Sequence, residues 1–562
     1  MFLPATKKEA AALGWEALDV ILVNGDAYID APHIGISVIG KTLVRGGFRV
    51  GIISQPDTGS AEDICRLGEP LLFWGVSAGC MDSMIANYTA TKRPRKQDDL
   101  TAGGRNTRRP DRAAIVYTNL IRRHFKKTVP IVLGGIEASL RRISHYDYWS
   151  GRVRRSVLFD AKADILVYGM GEKAVLELAR RLAAAEPVHD VGGICWISAE
   201  KPEGFIELPA HDVVKQDVSA FRSMFASFYK NNEPKTAEGL VQKQDSRYLI
   251  HNPPQPLPAT EELDRIHEAG YERELGPFDR QFGTVRALDT IRFSIRTHRG
   301  CYGECHFCAI AVHEGRTIVE RSLASLMREA REMRRHPLFK GVIQDVGGPT
   351  ANMYGIECQR KRDVGPCRDR RCLTPEPCRH LPVDHRSQIR LLENLRKIEG
   401  VKRVFVSSGI RHDMILADRS CGDSYLELLV RHHISGQLKI APEHSEAHVL
   451  SLMGKPDIEK TRRFIGLFRE KTRQLRKKRF LTCYFIAAYP GCSLEDMRRL
   501  KDFTARELRF RPEQVQIFTP SPSTIAALMY YSEISWPDNR PIFVEETISG
   551  KEKQKRELQK RD

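Results

Sequence analysis

Arg299-Gly300-Cys301-Tyr302-Gly303-Glu304-Cys305-His306-Phe307-Cys308 is a C-x3-C-x2-C run with an aromatic residue, Phe307, before its last cysteine. It issues from a strand-type stretch, Ile291-Arg292-Phe293-Ser294-Ile295. Thiolates are soft ligands and suit iron–sulfur clusters. Three of them on one short loop hold three irons of a [4Fe-4S] cube. The fourth iron then has no ligand from this run and is open to a substrate or cofactor. A structural zinc loop is the alternative, but zinc sites favour paired C-x2-C units and a closed set of four ligands. The asymmetric spacing favours the cluster.

Toward the C-terminus a strand–helix alternation continues. Leu323, Leu326, Ala330 and Met333 share one face of a helical pattern. Residues 341–345, 404–407, 438–441, 482–486 and 514–518 read as five further strands, six with the first. The cysteine loop resembles the signature of the radical S-adenosylmethionine (SAM) superfamily. That resemblance implies a partial (β/α)6 barrel over residues 283–540, with its site at the carboxyl ends of the strands. It implies SAM as cofactor, chelated to the open iron and cleaved to methionine and a 5′-deoxyadenosyl radical. Phe307 stands at the signature's aromatic position. Gly347 and Gly348 resemble the glycine-rich motif whose backbone contacts the SAM amino group, with Pro349 where an acidic residue is usual. Ser408 and Arg411 close the third strand, and a hydroxyl and a guanidinium suit the ribose and carboxylate of SAM. Glu443-His444 closes the fourth, either as a proton-transfer pair or as part of an internal salt bridge.

A second cysteine group, Cys358, Cys367, Cys372 and Cys378, lies in an insertion at about 356–382. Its Pro, Gly and Arg residues cannot build a hydrophobic core. It reads as a second metal site, zinc or an auxiliary iron–sulfur cluster. Zinc is slightly ahead because four ligands close a tetrahedron, and His380 is the substitute ligand.

Residues 1–198 alternate short apolar strands with helical patterns, the mark of a parallel sheet covered on both faces. The stretch is Rossmann-like and resembles the cobalamin-binding-like domain that precedes many radical SAM cores. Cobalamin ligation through histidine uses D-x-H-x-x-G. Here Ala31-Pro32-His33-Ile34-Gly35 lacks the aspartate, so His33 is expected not to ligate cobalt and no cobalamin is expected. Residues 199–282, with Pro253, Pro254, Pro256 and Pro258, read as a connector. Residues 541–562 read as a basic tail.

Composition sets the class. The chain has 562 residues, 41% hydrophobic and 28% charged, with a net charge of +18. No apolar run reaches about 18 residues, so no membrane span is expected. The first residues lack the apolar stretch of a signal peptide, and a cytoplasmic protein is expected. Thirteen cysteines there argue for metal ligation or reduced thiols. The charge suits nucleic acid, but no RNA-binding module is recognisable and that partner is not favoured.

Residues 134–142 (Gly-Gly-Ile-Glu-Ala-Ser-Leu-Arg-Arg), 145–149 (His-Tyr-Asp-Tyr-Trp), 441–444 (Ala-Pro-Glu-His) and 518–522 (Phe-Thr-Pro-Ser-Pro) resemble the YgiQ family of radical SAM proteins, over about residues 15–545. The resemblance implies that Cys301, Cys305 and Cys308 hold the cluster, and it leaves the substrate unknown. It implies a low-potential electron donor such as flavodoxin or ferredoxin. The expected function is radical hydrogen abstraction from an unknown substrate. The alternatives are a tRNA- or RNA-modifying radical SAM enzyme and a non-catalytic electron-transfer or regulatory protein. Arg141, Arg142, His145, Tyr146, Asp147 and Tyr148 are expected to line a substrate pocket or a domain interface.

Overall fold

Strand β1 (Val20–Asn24) buries all five of its residues, which a strand does when both faces of its sheet are covered. The helix Gly35–Arg45 presents Ile36, Val38 and Leu43 inward. The same holds for β2 (Val50–Ser54) and β3 (Phe73–Ser77), followed by β4 (Ile131–Gly134) and β5 (Ile165–Val167). These five run parallel in the spatial order β5-β4-β3-β1-β2.

The computed structural model describes residues 1–367, 370–509 and 512–559. It divides into one unit of residues 1–257 and 265–292, and a second of 258–264 and 293–562. The stretch expected to be a connector belongs mostly to the first unit and adds three strands to its sheet. There β6 (Ile194–Ser198) pairs antiparallel with β5 and with β9 (Arg247–His251). Then β8 (Leu240–Gln244) and β7 (Ile206–Leu208) extend the sheet to nine strands. The prolines lie beyond β9, and chain continuity with the second unit falls near residue 292.

In the second unit six strand positions succeed one another in parallel. β10 (Ser294–Arg296) pairs with β12 (Asp345–Gly347), and β11 (Val342–Ile343) pairs with β13 (Arg403–Val404). A parallel bridge joins Ile410 to Ile440. There β14 (Gln437–Glu443) begins the series β14-β15-β16, with β15 at Phe480–Ala487 and β16 at Gln514–Ile517. Ser322 caps the helix Leu323–Met333, which buries Leu326, Ala330 and Met333 as its pattern requires.

The stretch read as a basic tail carries one helix. Helix Ile548–Gln559 buries Lys551, Gln554 and Leu558. Lys551 Nζ donates to Tyr530 Oη at 2.7 Å, and Gln554 Oε1 accepts the Ala488 amide at 2.8 Å. Residues 560–562 lie outside the described residues. Among the described residues, no helix is long and apolar enough to cross a membrane.

Candidate iron–sulfur and SAM site

The cysteine loop leaves the carboxyl end of β10, and all three thiols line one cavity of about 170 Å3. Phe307, Thr350, Arg411, Glu443 and Lys455 share its wall. Two of the thiols converge on Gly303. A Cβ at 303 would lie 3.2 Å from Cys301 Sγ, 3.7 Å from Cys305 Sγ and 3.0 Å from Arg411 Nη1. A side chain there would press on Arg411 and on both thiols. The Gly303 amide donates to Cys301 Sγ at 3.3 Å. Burial pushes the Cys308 thiol up to about 12 and raises Cys301 as well, with neighbouring cysteines adding to both. Such thiols hold their protons unless a metal displaces them. Three soft sulfurs facing one cavity are a donor set that fits an iron–sulfur cluster.

Arg411 reaches Asp413 through two bonds of 2.8 and 2.6 Å and places Nη1 3.7 Å from Cys305 Sγ. Burial alone would raise the Asp413 carboxyl, but the guanidinium holds it below the usual carboxylate range. Burial alone would lower Arg411, and Asp413 outweighs it. The pair therefore stays charged at the cavity wall.

Behind Arg411 stands a buried polar chain that sequence reasoning missed. The Arg411 amide donates to Asn352 Oδ1 at 2.7 Å, and Asn352 Nδ2 donates to the Arg411 carbonyl at 3.0 Å. Asn352 Nδ2 also lies 3.1 Å from His385 Nε2, and His385 Nδ1 lies 2.8 Å from Asp418 Oδ2. Tyr425 stacks on the His385 ring. No spacing rule links these residues, because each comes from a different loop or helix.

Ser408 and the two glycines stand behind the wall. The Ser408 hydroxyl donates to Asp345, whose carboxylate also accepts the Ser407 amide at 2.7 Å and the Ser408 amide at 3.1 Å. A Cβ on Gly348 would lie 2.4 Å from His298 Nε2, and one on Gly347 2.9 Å from Ala351 Cα. Their successors Pro349 and Thr350 reach the cavity, and Thr350 Oγ1 lies 3.6 Å from Cys301 Sγ. Glu443 ends β14 at φ +71°, a strained backbone for a non-glycine residue at a strand end. Its carboxylate lies 3.7 Å from Lys455 Nζ, and burial raises its pKa. His444 faces elsewhere, with Nε2 3.4 Å from Cys492 Sγ, and burial pushes it down to about 3. Glu443 and His444 are thus not a working pair.

The second cysteine group does have an apolar core, contrary to expectation. Cys358 and Cys378 are buried with Ile356, Leu373 and Leu381, and Cys372 packs against them. Burial pushes Cys372 up to about 11, with Cys358 and Cys367 near enough to add to the rise. His380 is exposed, and its Nε2 accepts from Arg379 at 3.3 Å. Among the described residues, Asp384, Asp418 and Cys421 bring ligand atoms within 4.8 Å of one another. Asp418 there accepts bonds from His385, Ser420 and Cys421, which accounts for the clustering.

In the first unit, Arg141 bonds Asp82 at 2.8 Å and Asp147 at 2.9 Å. Arg142 donates to His251 Nε2 at 3.0 Å and to Asn232 Oδ1 at 2.6 Å. Tyr148 donates to the Ala90 carbonyl at 2.6 Å. A space of about 10 Å3 beside Arg141 and His145 is about the size of one water molecule.

Two family models match the chain. Radical SAM N-terminal covers residues 2–294, and the radical SAM superfamily model covers residues 295–504. Fold and thiol loop are therefore those of a radical SAM enzyme, a class that uses a [4Fe-4S] cluster and SAM. A UPF0313 protein of Fusobacterium nucleatum is 52% identical, over 99% of this chain and 98% of that protein. One of Thermotoga petrophila is 47% identical over 99% and 98%. The chain belongs to this UPF0313 family of radical SAM proteins.

Among solved structures, the methyltransferase TsrM of Kitasatospora setae, with cobalamin and a [4Fe-4S] cluster bound, has a TM-score of 0.49 and 15% identity. That match covers 90% of this chain and 77% of that one. OxsB with aqua-cobalamin has a TM-score of 0.48 and 14% identity, over 92% and 56%. Both of these structures hold cobalamin, against the expectation that cobalamin is unlikely, and that expectation is withdrawn. The missing D-x-H-x-x-G aspartate concerns a histidine ligand to cobalt, and a corrinoid is also gripped through its ring and side chains.

Proposed function

We propose that Cys301, Cys305 and Cys308 hold the [4Fe-4S] cluster and that the 170 Å3 cavity beside them receives SAM. A cluster there would supply the electron that cleaves SAM to methionine and a 5′-deoxyadenosyl radical, which abstracts hydrogen from a substrate. The placement of all three thiols on one cavity at the end of a parallel strand series carries this reading. The series is read as the partial (β/α)6 barrel, and the nine-stranded unit as a Rossmann-like elaboration. The family is read as the one labelled YgiQ.

The chain's own residues have separable tasks. Arg411, kept cationic by Asp413, offers a guanidinium to a carboxylate within reach of the cluster loop. Phe307 and Ile410 supply apolar wall that keeps water from the reacting carbon. Gly347 and Gly348 let the chain turn so that Pro349 and Thr350 face the cofactor. Ser408 fixes the strand end through Asp345. The reductant is read as a flavodoxin- or ferredoxin-type protein in a reducing cytosol.

Anaerobically reconstituted, dithionite-reduced protein should release 5′-deoxyadenosine and methionine from SAM. The C301A/C305A/C308A variant should release none, and Gly303→Val should lose most of the activity. SAM cleavage persisting in the triple variant would sink this reading.

A further inference from the structure

We propose that Cys358, Cys367, Cys372 and Cys378 bind a second iron–sulfur centre, joined to the cluster loop through Tyr302. Four independent observations carry it. The four thiols fall within 21 residues of mostly irregular chain, and Cys358, Cys372 and Cys378 pack into one small apolar cluster. That places soft donors together in a medium with few other polar partners.

Three of the thiols each sit beside a cation. Arg360 Nη1 lies 2.9 Å from Cys367 Sγ, Lys361 Nζ 3.8 Å from Cys372 Sγ, and Arg370 Nη1 3.7 Å from Cys378 Sγ. Lys361 also meets the Arg316 carbonyl and the Tyr302 ring, whereas Arg360 and Arg370 aim guanidinium groups at thiols. A centre bound by four thiolates carries excess negative charge, and donors to its sulfurs offset that charge and tune its potential.

The spacing speaks against zinc. Tetrahedral Zn–S bonds of about 2.3 Å set sulfurs about 3.8 Å apart. Among the described residues, no three of these sulfurs lie within 4.8 Å of one another. A polynuclear centre, ligated on its outer irons, spans a wider set.

Tyr302 supplies the link. It follows Cys301 in the chain, is buried, and accepts the Cys358 amide at 3.3 Å. Cys301 itself packs against the same apolar cluster. One covalent bond and one hydrogen bond thus connect the two ligand sets. With both centres loaded, a low-potential protein donor would supply one electron to the second centre, and that electron would reduce the first as the second is re-oxidised, with no proton or bond changing place. This coupling rests on the cluster reading of the 301–308 loop, whereas the second centre itself does not.

The test is metal analysis and electron paramagnetic resonance (EPR) of the anaerobically purified full-length chain. Iron should fall from about eight to about four per chain in C301A/C305A/C308A, with equal sulfide and no zinc. Two irons would mark a [2Fe-2S] form and equally support the centre. One zinc per chain, or no metal in a folded variant, would overturn the proposal. The reduced wild type should show spin–spin broadening that is absent from the summed spectra of C301A/C305A/C308A and C358A/C372A. A wild-type spectrum equal to that sum would overturn the link. If C358A/C372A fails to fold, Tyr302→Phe replaces it: the broadening should weaken while iron content stays unchanged. Loss of SAM cleavage in the first triple variant tests the other cluster and leaves the iron count to decide this one.

Discussion

Both units set functional-looking residues just past the carboxyl ends of parallel strands, yet one end is tied shut by charge and the other is hollow. In the first unit, Asp26 after β1 pairs with Arg109, which also meets Asp98 at 2.9 Å. Asp82 after β3 and Asp147 share Arg141, and Glu137 after β4 accepts the Ser83 amide at 2.7 Å. In the second unit the equivalent ends carry Thr350, Arg411 and Glu443 around a 170 Å3 cavity. Parallel topology offers a crevice at such ends. The side chains that follow each strand decide whether it is bonded up or left for a ligand.

The largest effect expected from breaking this contrast is on the closed side. Arg141→Met strands Asp82 without its cation, leaves Asp147 to Arg112 alone, and should cost about 3–5 kcal/mol. Denaturant unfolding measures it, and a loss below about 1 kcal/mol would mean the network is incidental.

Acid should weaken both units, the second more than the first. Burial pushes His298 and His444 down to about 3, and His412 and His433 to about 4. The first unit holds His145, at about 4, and His251 in the same way. Unfolded imidazoles take protons near pH 6.5 that the folded ones refuse. This stability is therefore complete above about pH 6.5 and is lost as pH falls toward 4 and 3. At pH 6 the four histidines of the second unit should together cost about 2–3 kcal/mol. Peptide-resolved hydrogen exchange at pH 7.5 and 6 should show the second unit loosening first, and the reverse order would break the comparison.

Asn352→Ala leaves the Arg411 amide and His385 short of a partner, at about 1–3 kcal/mol. SAM affinity should fall while the iron content holds, and unchanged affinity would remove Asn352 from the site's support. The smallest effect is Gln554→Ala, about 1 kcal/mol, read as a small drop in midpoint temperature.

The legible parts were those with a short-range signal. The 301–308 spacing pointed to the radical SAM class, and apolar runs marked the parallel strands of both units. What escaped shares a physical cause: polar side chains that are buried and satisfied. Gln242 and Gln244 of β8 look solvent-facing in sequence. Yet Gln242 Oε1 accepts the Ser144 hydroxyl at 3.0 Å and Gln244 Oε1 accepts the Ser156 amide at 3.0 Å. Lys551 and Gln554 hid the docked C-terminal helix in the same manner. The Asn352–His385–Asp418 chain was hidden because its members meet only after folding.

The docked helix also sets an order of events. Ile548–Gln559 packs on β15, β16 and the helix Leu494–Phe503, so the last two strands of the series reach their final footing only once it is made. The ribosome produces the 301–308 thiols about 240 residues earlier, a gap of roughly 10–50 s at common rates of synthesis. Through that interval the thiols belong to an unfinished wall, exposed to oxidants and to stray metals alike. On the cluster reading of these thiols, iron delivery then follows the docking of this helix, and a cell making the protein under air has to shield the loop until that contact is made.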